Sequence, residues 1–292
     1  MKSRGKSVTG GLWNLGLPSI FLLCLFFFLL GFFASSLFSQ QDAPNVRPRV
    51  LASVDLEKDF DPLPTGETGD NSLTSIPFQV LSWYPRALYF PNFASIEQCQ
   101  SIIKIAKANL EPSSLALRKG ETEETTNGIR TSSGTFISAS EDKTGVLDLI
   151  EEKIAKATMI PKTHGEYMFQ AFNILRYEIG QRYQSHYDAF DPAQYGPQKS
   201  QRVASFLLYL SDVEEGGETV FPFESGQNMD SKYDFSKCIG LKVKPHRGDG
   251  LLFYSLFLNG TIDPTSIHGS CPVIRGEKWV ATKWIRNIEQ DE

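Results

Sequence analysis

The sequence predicts an α+β chain: a double-stranded β-helix, or jelly-roll, core with supporting N-terminal helices, preceded by one transmembrane helix. Three observations predict it. An uncharged apolar run fills residues 17–38. Two helical patterns of apolar residues lie between residues 95 and 158. Beyond residue 165 the texture changes to short strand-like runs separated by Gly and Pro turns, which favours a double-sheet jelly roll over a parallel sheet.

The apolar run, LPSIFLLCLFFFLLGFFASSLF, is long enough as a helix to cross a hydrocarbon core of about 30 Å. Lys2, Arg4 and Lys6 precede it, and Asp42 and Arg47 are the first charges after it. Positive flanks stay cytosolic, so 1–16 is a cytosolic tail, 17–38 a signal anchor, and the bulk of the chain lies in the lumen. A cleaved signal peptide, cut near Ala34-Ser35-Ser36, is the competing reading. Signal cores are about 7–15 apolar residues, shorter than this run, which favours the anchor. The expected location is therefore the endoplasmic reticulum or Golgi membrane, single-pass, with a lumenal C-terminal domain.

Residues 39–78 carry Pro, Gly, Asp and Ser without periodicity and read as a lumenal stem. The domain proper spans 79–292. It opens with a strand pattern at Val80–Trp83 and Ala87–Phe90. Ser95 with Gln98 forms a capping-box pattern, and Cys99, Ile102, Ile103 and Ala106 recur at helical spacing, so 95–109 is the first helix. A second helix, about 144–158, places Val146, Leu149, Ile150 and Ile154 on one face. The polar stretch 119–127 between them reads as a mobile loop. Strands are expected near 168–178, 183–188, 201–211, 218–221, 239–244, 249–256, 271–275 and 278–286.

Bulk properties exclude some classes of function. A formal net charge of −5 over 292 residues offers no basic footprint for nucleic acid. Cys24 lies in the apolar run, leaving Cys99, Cys238 and Cys271, which an oxidising lumen permits to form one disulfide. The sequence alone does not choose the pair. Cys238 with Cys271 is preferred, because both flank segments that meet in a jelly roll. Asn259-Gly-Thr261 is an N-glycosylation sequon.

The chemistry gathers around few residues. In a strand, residues i and i+2 share a face, so His186-Tyr187-Asp188 presents an imidazole and a carboxylate together. His268, from a strand distant in sequence, would complete a two-histidine, one-carboxylate set of the kind that binds iron(II) with positions left open. Alternation from Lys278 puts Lys278, Val280, Thr282 and Trp284 on one face, with Trp279, Ala281 and Lys283 on the other. An inward lysine among apolar neighbours needs an anion, since an unpaired buried ammonium is costly. The distal carboxylate of an oxo-acid such as 2-oxoglutarate would supply one. A lysine snorkelling at a strand end is the alternative. His164 and His246 read as structural or surface residues.

The run Ile174–Phe190 (ILRYEIGQRYQSHYDAF), then Gln201-Arg202-Val203 with Leu207–Leu210, then Glu214-Glu215-Gly216-Gly217-Glu218-Thr219, resembles the core of the prolyl 4-hydroxylase family. Gly248-Asp249-Gly250-Leu251-Leu252-Phe253 and His268-Gly269-Ser270-Cys271-Pro272 through Lys278-Trp279 to Lys283-Trp284 extend the resemblance over roughly 80–288. It is nearer the compact plant and algal enzymes than the larger animal collagen-modifying subunits. The resemblance implies that His186, Asp188 and His268 hold Fe(II) and that Lys278 binds the 2-oxoglutarate distal carboxylate, with Tyr177 (or neighbouring Tyr183) helping to hold that cosubstrate. It implies further that Tyr183, Arg202 and Trp284 line a peptide groove, with packing as the alternative role for those three.

The implied activity is that of a procollagen-type prolyl 4-hydroxylase. Dioxygen and 2-oxoglutarate are consumed, succinate and carbon dioxide are released, C4 of a peptidyl proline is hydroxylated, and ascorbate is expected to keep the iron reduced. The implied partners are proline-rich chains in polyproline II conformation, whose rings face a groove with no internal hydrogen bonds to break. Loops 119–127 and 191–200 are the expected covers. A dioxygenase of the same fold acting on another residue or a small molecule, and a non-catalytic lumenal binding protein, are the competing readings.

Overall fold

A computed structural model describes residues 25–29, 76–165, 171–230, 232–235 and 237–288. Leu25–Leu29, inside the expected anchor, are helical. The remainder of that anchor, the tail 1–16 and the stem up to residue 75 lie outside the described residues, as do residues 168–170 of one expected strand and 289–292. Among the described residues no helix is long and apolar enough to cross a membrane. Contacts divide the chain after Gly69, and the C-terminal unit carries the described strands.

That unit opens with a hairpin of β1 (Gln79–Trp83) and β2 (Arg86–Phe90). Helix α1 (Ile96–Ala106) begins as expected: Ser95 accepts from the Gln98 amide while the Gln98 side chain accepts from the Ser95 amide. A 3-10 turn, Lys107–Asn109, finishes the expected helix. β3 (Glu111–Pro112) and β4 (Ser133–Ile137) flank the long polar loop and pair with each other.

Helix α2 (Val146–Thr158) follows, but its buried face is Leu147, Ile150, Glu151 and Ile154, while Leu149 is exposed. The expected face was thus rotated by one position. The cause is Glu151, which turns inward to meet Lys283. Then come β5 (Phe172–Tyr177), β6 (Tyr183–His186), a short α3 (Pro192–Tyr195), β7 (Arg202–Tyr209), β8 (Val213–Gly216), β9 (Thr219–Phe221), β10 (Leu241–Val243), β11 (Gly250–Tyr254), β12 (His268–Ser270), β13 (Val273–Gly276) and β14 (Lys278–Arg286).

The described strands form an eight-stranded sheet in the order β1-β2-β11-β7-β14-β5-β4-β3 and a four-stranded sheet in the order β10-β9-β12-β6, with β13 and β8 as a separate pair. All pairings between these strands are antiparallel. Strand alternation sorts the core into two layers. On β7, Ala204, Phe206 and Leu208 join the cluster beneath the helices, with Ile102, Leu147, Ile150 and Trp279. Leu207 and Tyr209 join the cluster between the sheets, with Tyr177, Phe221, Leu251, Phe253 and Val280. Each such side chain, fully buried, contributes about 1.5–3 kcal/mol.

The turn between β8 and β9 explains why Gly216-Gly217 stand together. Both are left-handed (φ +76° and +70°), and a Cβ on Gly216 would lie 2.3 Å from the Pro272 carbonyl oxygen. The close approach lets the Gly217 amide donate to Pro272 at 3.0 Å, seating the end of β12. A disulfide joins Cys238 to Cys271, the preferred pair, and Cys99 is a free, buried thiol.

Candidate active site

Register builds the centre. β12 pairs with β6 so that His268 lies directly opposite His186, their ring centroids 4.4 Å apart. β6 ends at His186, so Asp188 stands in a bend beyond the strand and not within it, as strand periodicity alone had it. Its carboxylate still reaches the same place. Asp188 Oδ1 is 3.6 Å from His186 Nε2, Asp188 Oδ2 is 3.6 Å from His268 Nε2, and the three potential donor atoms all lie within 4.8 Å of one another.

Both rings are oriented by the backbone. His186 Nδ1 donates to the Gln184 carbonyl at 2.9 Å and His268 Nδ1 to the Ser266 carbonyl at 3.0 Å. Since a carbonyl only accepts, each Nδ1 carries a proton, which leaves Nε2 as the nitrogen each ring can offer a metal. Burial pushes the His268 pKa down to about 4, against the pull of Asp188, so the ring is neutral at physiological pH. Burial opposes ionisation of Asp188, yet His268, His186 and Arg202 together hold its carboxyl well below the usual range. Ser205 Oγ also donates to Asp188 Oδ2. Two imidazoles that offer Nε2 and one anionic carboxylate are the donor set that an octahedral iron(II) accepts while keeping sites open.

The triad lines one wall of a cleft of about 1060 Å³ that reaches inward to Lys278. Lys278 is 1% exposed and stands opposite Tyr177 in the β14–β5 register. Its ammonium donates to Ser270 Oγ at 2.9 Å and lies 5.4 Å from the Tyr177 ring centre. Among the described residues no carboxylate forms an ion pair with it. Burial therefore pushes its pKa down to about 7, Glu218 opposing only in part. Lys278 and the triad thus line the same cleft, an ammonium and a metal-ligand set open to one bound molecule.

Toward the mouth, Tyr183 stacks on His186 with ring centroids 3.7 Å apart. The Arg202 guanidinium lies 3.8 Å from the Trp284 ring centre and 4.8 Å from that of Phe190. The expected metal, cosubstrate and groove residues, Tyr177, Tyr183, Arg202 and Trp284 included, thus line the same cleft. The two expected cover loops meet: the Lys119 amide donates to the Gln194 carbonyl at 2.9 Å, and Arg118 Nε to Tyr195 Oη at 3.4 Å. Asn259 lies apart, in an exposed turn where its Oδ1 accepts from the Thr261 amide and hydroxyl. His164 bonds the Arg286 carbonyl, and His246 lies on the surface beside Asp212.

Sequence reasoning missed the opposite lip. Arg130 forms an isolated bridge to Tyr183, sets its guanidinium 4.8 Å from that ring's centre, and donates to Ser132 Oγ and the Ser114 carbonyl. Phe136 on β4 and Phe235 also line the cleft. Nothing in the sequence around Arg130 marks it, because its role is set by a contact with a strand far along the chain.

Comparison with known proteins agrees with this geometry. Residues 172–286 match the family model described as the 2OG-Fe(II) oxygenase superfamily. The chain is 64% identical to probable prolyl 4-hydroxylase 9 and 53% identical to prolyl 4-hydroxylase 13, both of Arabidopsis thaliana, over the whole of each protein. A viral collagen prolyl hydroxylase from Paramecium bursaria Chlorella virus-1, solved with 2OG, superposes with a TM-score of 0.50 at 28% identity, over 69% of this chain and 96% of that one.

Proposed function

The chain belongs to the prolyl 4-hydroxylase family of 2-oxoglutarate- and iron(II)-dependent oxygenases, and from that premise we propose that it hydroxylates C4 of peptidyl proline in proline-rich secretory proteins. One observation carries the reading: a His-Asp-His set and a buried lysine with no ion-paired carboxylate among the described residues face one cleft whose outer wall is aromatic.

Iron(II), when bound, supplies the oxidative chemistry of dioxygen and the keto acid. His186 and His268 offer Nε2 and Asp188 a carboxylate oxygen for it. Lys278 fixes the far carboxylate of 2-oxoglutarate from inside the cleft, with Ser270 and Tyr177 beside it. Tyr183, Trp284 and the Arg202 guanidinium stacked on it form a surface against which prolyl rings of a polyproline II chain pack. Arg118–Glu121 and Gln194–Tyr195, already in contact, keep bulk water from the reacting carbon. Ascorbate is the reductant that keeps the metal ferrous.

The same reading places the domain in the lumen of the endoplasmic reticulum or Golgi behind a type II anchor at 17–38. The Cys238–Cys271 disulfide and the exposed sequon at Asn259 support it. The test is mass spectrometry of a proline-rich peptide incubated with the protein, iron(II), 2-oxoglutarate, ascorbate and oxygen. The expected result is one new oxygen on proline, abolished in His186→Ala. Succinate without modified proline would redirect the search to another residue or a small molecule.

A further inference from the structure

The strand ladder does not by itself fix the distance between the candidate metal ligands. Its β6 side stops at His186, Asp188 lies beyond it in a bend, and the β12–β6 register shifts between His268 and Ser270. Something else must hold Asp188 and His268 in place, and the structure shows what.

His268 follows a single 3-10 turn, Pro264–Ser266, capped by Asp263. Thr265 donates to Asp263 Oδ1 twice, from its amide at 2.8 Å and its hydroxyl at 2.6 Å. The Ser266 hydroxyl donates to the Asp263 carbonyl at 2.7 Å and the Ser266 amide to the same oxygen at 3.0 Å. The Ser266 carbonyl, fixed by these bonds, is the acceptor that orients His268 Nδ1. Going the other way, the Asp263 amide donates to the Ser255 carbonyl at 2.9 Å, and the Ser255 amide to the Val203 carbonyl at 2.9 Å. Val203 is two residues from Ser205, whose hydroxyl holds Asp188. A continuous path of bonds and short backbone links thus runs round the site from one ligand to the other. Tyr187 braces it. Sitting between His186 and Asp188, it sends its hydroxyl to the Pro264 carbonyl at 3.2 Å, tying the ligand-bearing bend to the capped turn. Asp263, Thr265 and Ser266 are all buried, and a buried carboxylate is retained only where such bonds satisfy it.

We propose that Asp263 and Tyr187 are positioning residues of the iron site: Asp263 sets the turn that orients His268, and Tyr187 locks the His186–Asp188 segment to that turn. Neither touches the metal. The proposal rests on the metal reading of the triad and is independent of which substrate the cleft accepts.

Cobalt(II) serves as an oxygen-stable probe. The full chain and its Tyr187→Phe, Asp263→Ala and Asp263→Asn variants are titrated with cobalt(II) by calorimetry and by visible absorption, and the metal-free proteins are melted in parallel. Tyr187→Phe is expected to weaken cobalt affinity about fivefold, with the ligand-field spectrum altered and the metal-free melting temperature within about 2 °C of the parent. Asp263→Ala is expected to lose more than about tenfold, and Asp263→Asn, which keeps Oδ1 as an acceptor, to recover to within about twofold of the parent. Parental affinity and spectrum in Tyr187→Phe would overturn the proposal, even if Asp263→Ala proved unable to fold. Failure of the parent to bind cobalt would sink the metal reading itself, and peptide results bear on neither outcome.

Discussion

Lys278 and Lys283 sit five residues apart on β14, both buried, and the odd spacing sends them to opposite faces of the main sheet. Lys283 faces the helices, where the fold supplies it with the Glu151 carboxylate of α2 and the Phe172 ring. Lys278 faces the cleft, where the described residues supply a serine hydroxyl and no ion-paired carboxylate. Burial lowers both pKa values, but Lys283 has a hydrogen-bonded carboxylate, Glu151, pulling its proton back, whereas Lys278 has only Glu218, with which it forms no ion pair. On the proposed function, the same residue type at the same depth is structural on one face and a binding group on the other. What separates them is whether the counter-ion belongs to the chain.

The largest expected effect lies on the helix face. Lys283→Ala leaves Glu151 buried without its partner and should cost about 3–5 kcal/mol in a denaturant melt, with 2-oxoglutarate binding unchanged in the folded fraction. The double variant Lys283→Met, Glu151→Leu should return to within about 1 kcal/mol of the parent. If the single change proves neutral, the pair is not holding α2 to the sheet.

On the cleft face the expectation reverses. Lys278→Met should raise the KM for 2-oxoglutarate by about a hundredfold, an effect of about 2.7 kcal/mol, while leaving the metal-free fold no less stable. The sign of its pH dependence follows from linkage. Lys278 holds its proton less tightly folded than unfolded, so it costs the metal-free fold stability below about pH 7. That cost fades as pH rises toward the ordinary lysine value, and Lys278→Met should abolish the rise. A titration of 2-oxoglutarate on manganese(II)-loaded protein without oxygen should show affinity falling about tenfold between pH 6 and pH 8, with the fall flattened in Lys278→Arg.

Much of this contrast is readable in the sequence. Strict alternation from Lys278 to Trp284 assigns the faces, and the His-x-Asp spacing brings two candidate ligands together even though the strand ends between them. Other parts are not readable. β4 reads SGTFI, too rich in small residues to show a period, so it escaped, and β12 reads HGS, too short to give bounds to the strand expected at His268. β8 reads VEEG and looks like a polar turn until its pairing with β13 is seen. The rotation of α2 had no local signal either, because Glu151 is buried for the sake of Lys283, 132 residues away. Arg130 belongs to the same class, since its bridge to Tyr183 is a long-range contact, whereas the Asp263 turn rests on local bonds that an Asp-Pro cap pattern signals.

The smallest effect is expected at the cleft mouth. Arg202→Gln removes the cation from the Trp284 ring and should raise the peptide KM about threefold to fivefold, leaving the KM for 2-oxoglutarate unchanged. A parallel rise in both constants would mean that Arg202 acts through Asp188, whose backbone carbonyl it also approaches at 3.5 Å.

The proposed function has Lys278 receiving its counter-ion from 2-oxoglutarate, and proton uptake reports that directly. Calorimetry of 2-oxoglutarate binding at pH 8, in buffers of different ionisation enthalpy, counts the protons taken up by manganese-loaded protein. With Lys278 near pKa 7 when free and fully protonated when paired, uptake should approach one proton per site and vanish in Lys278→Arg. No uptake in the parent, with binding intact, would contradict it: Lys278 would then already carry its charge and the cosubstrate would not be its missing partner.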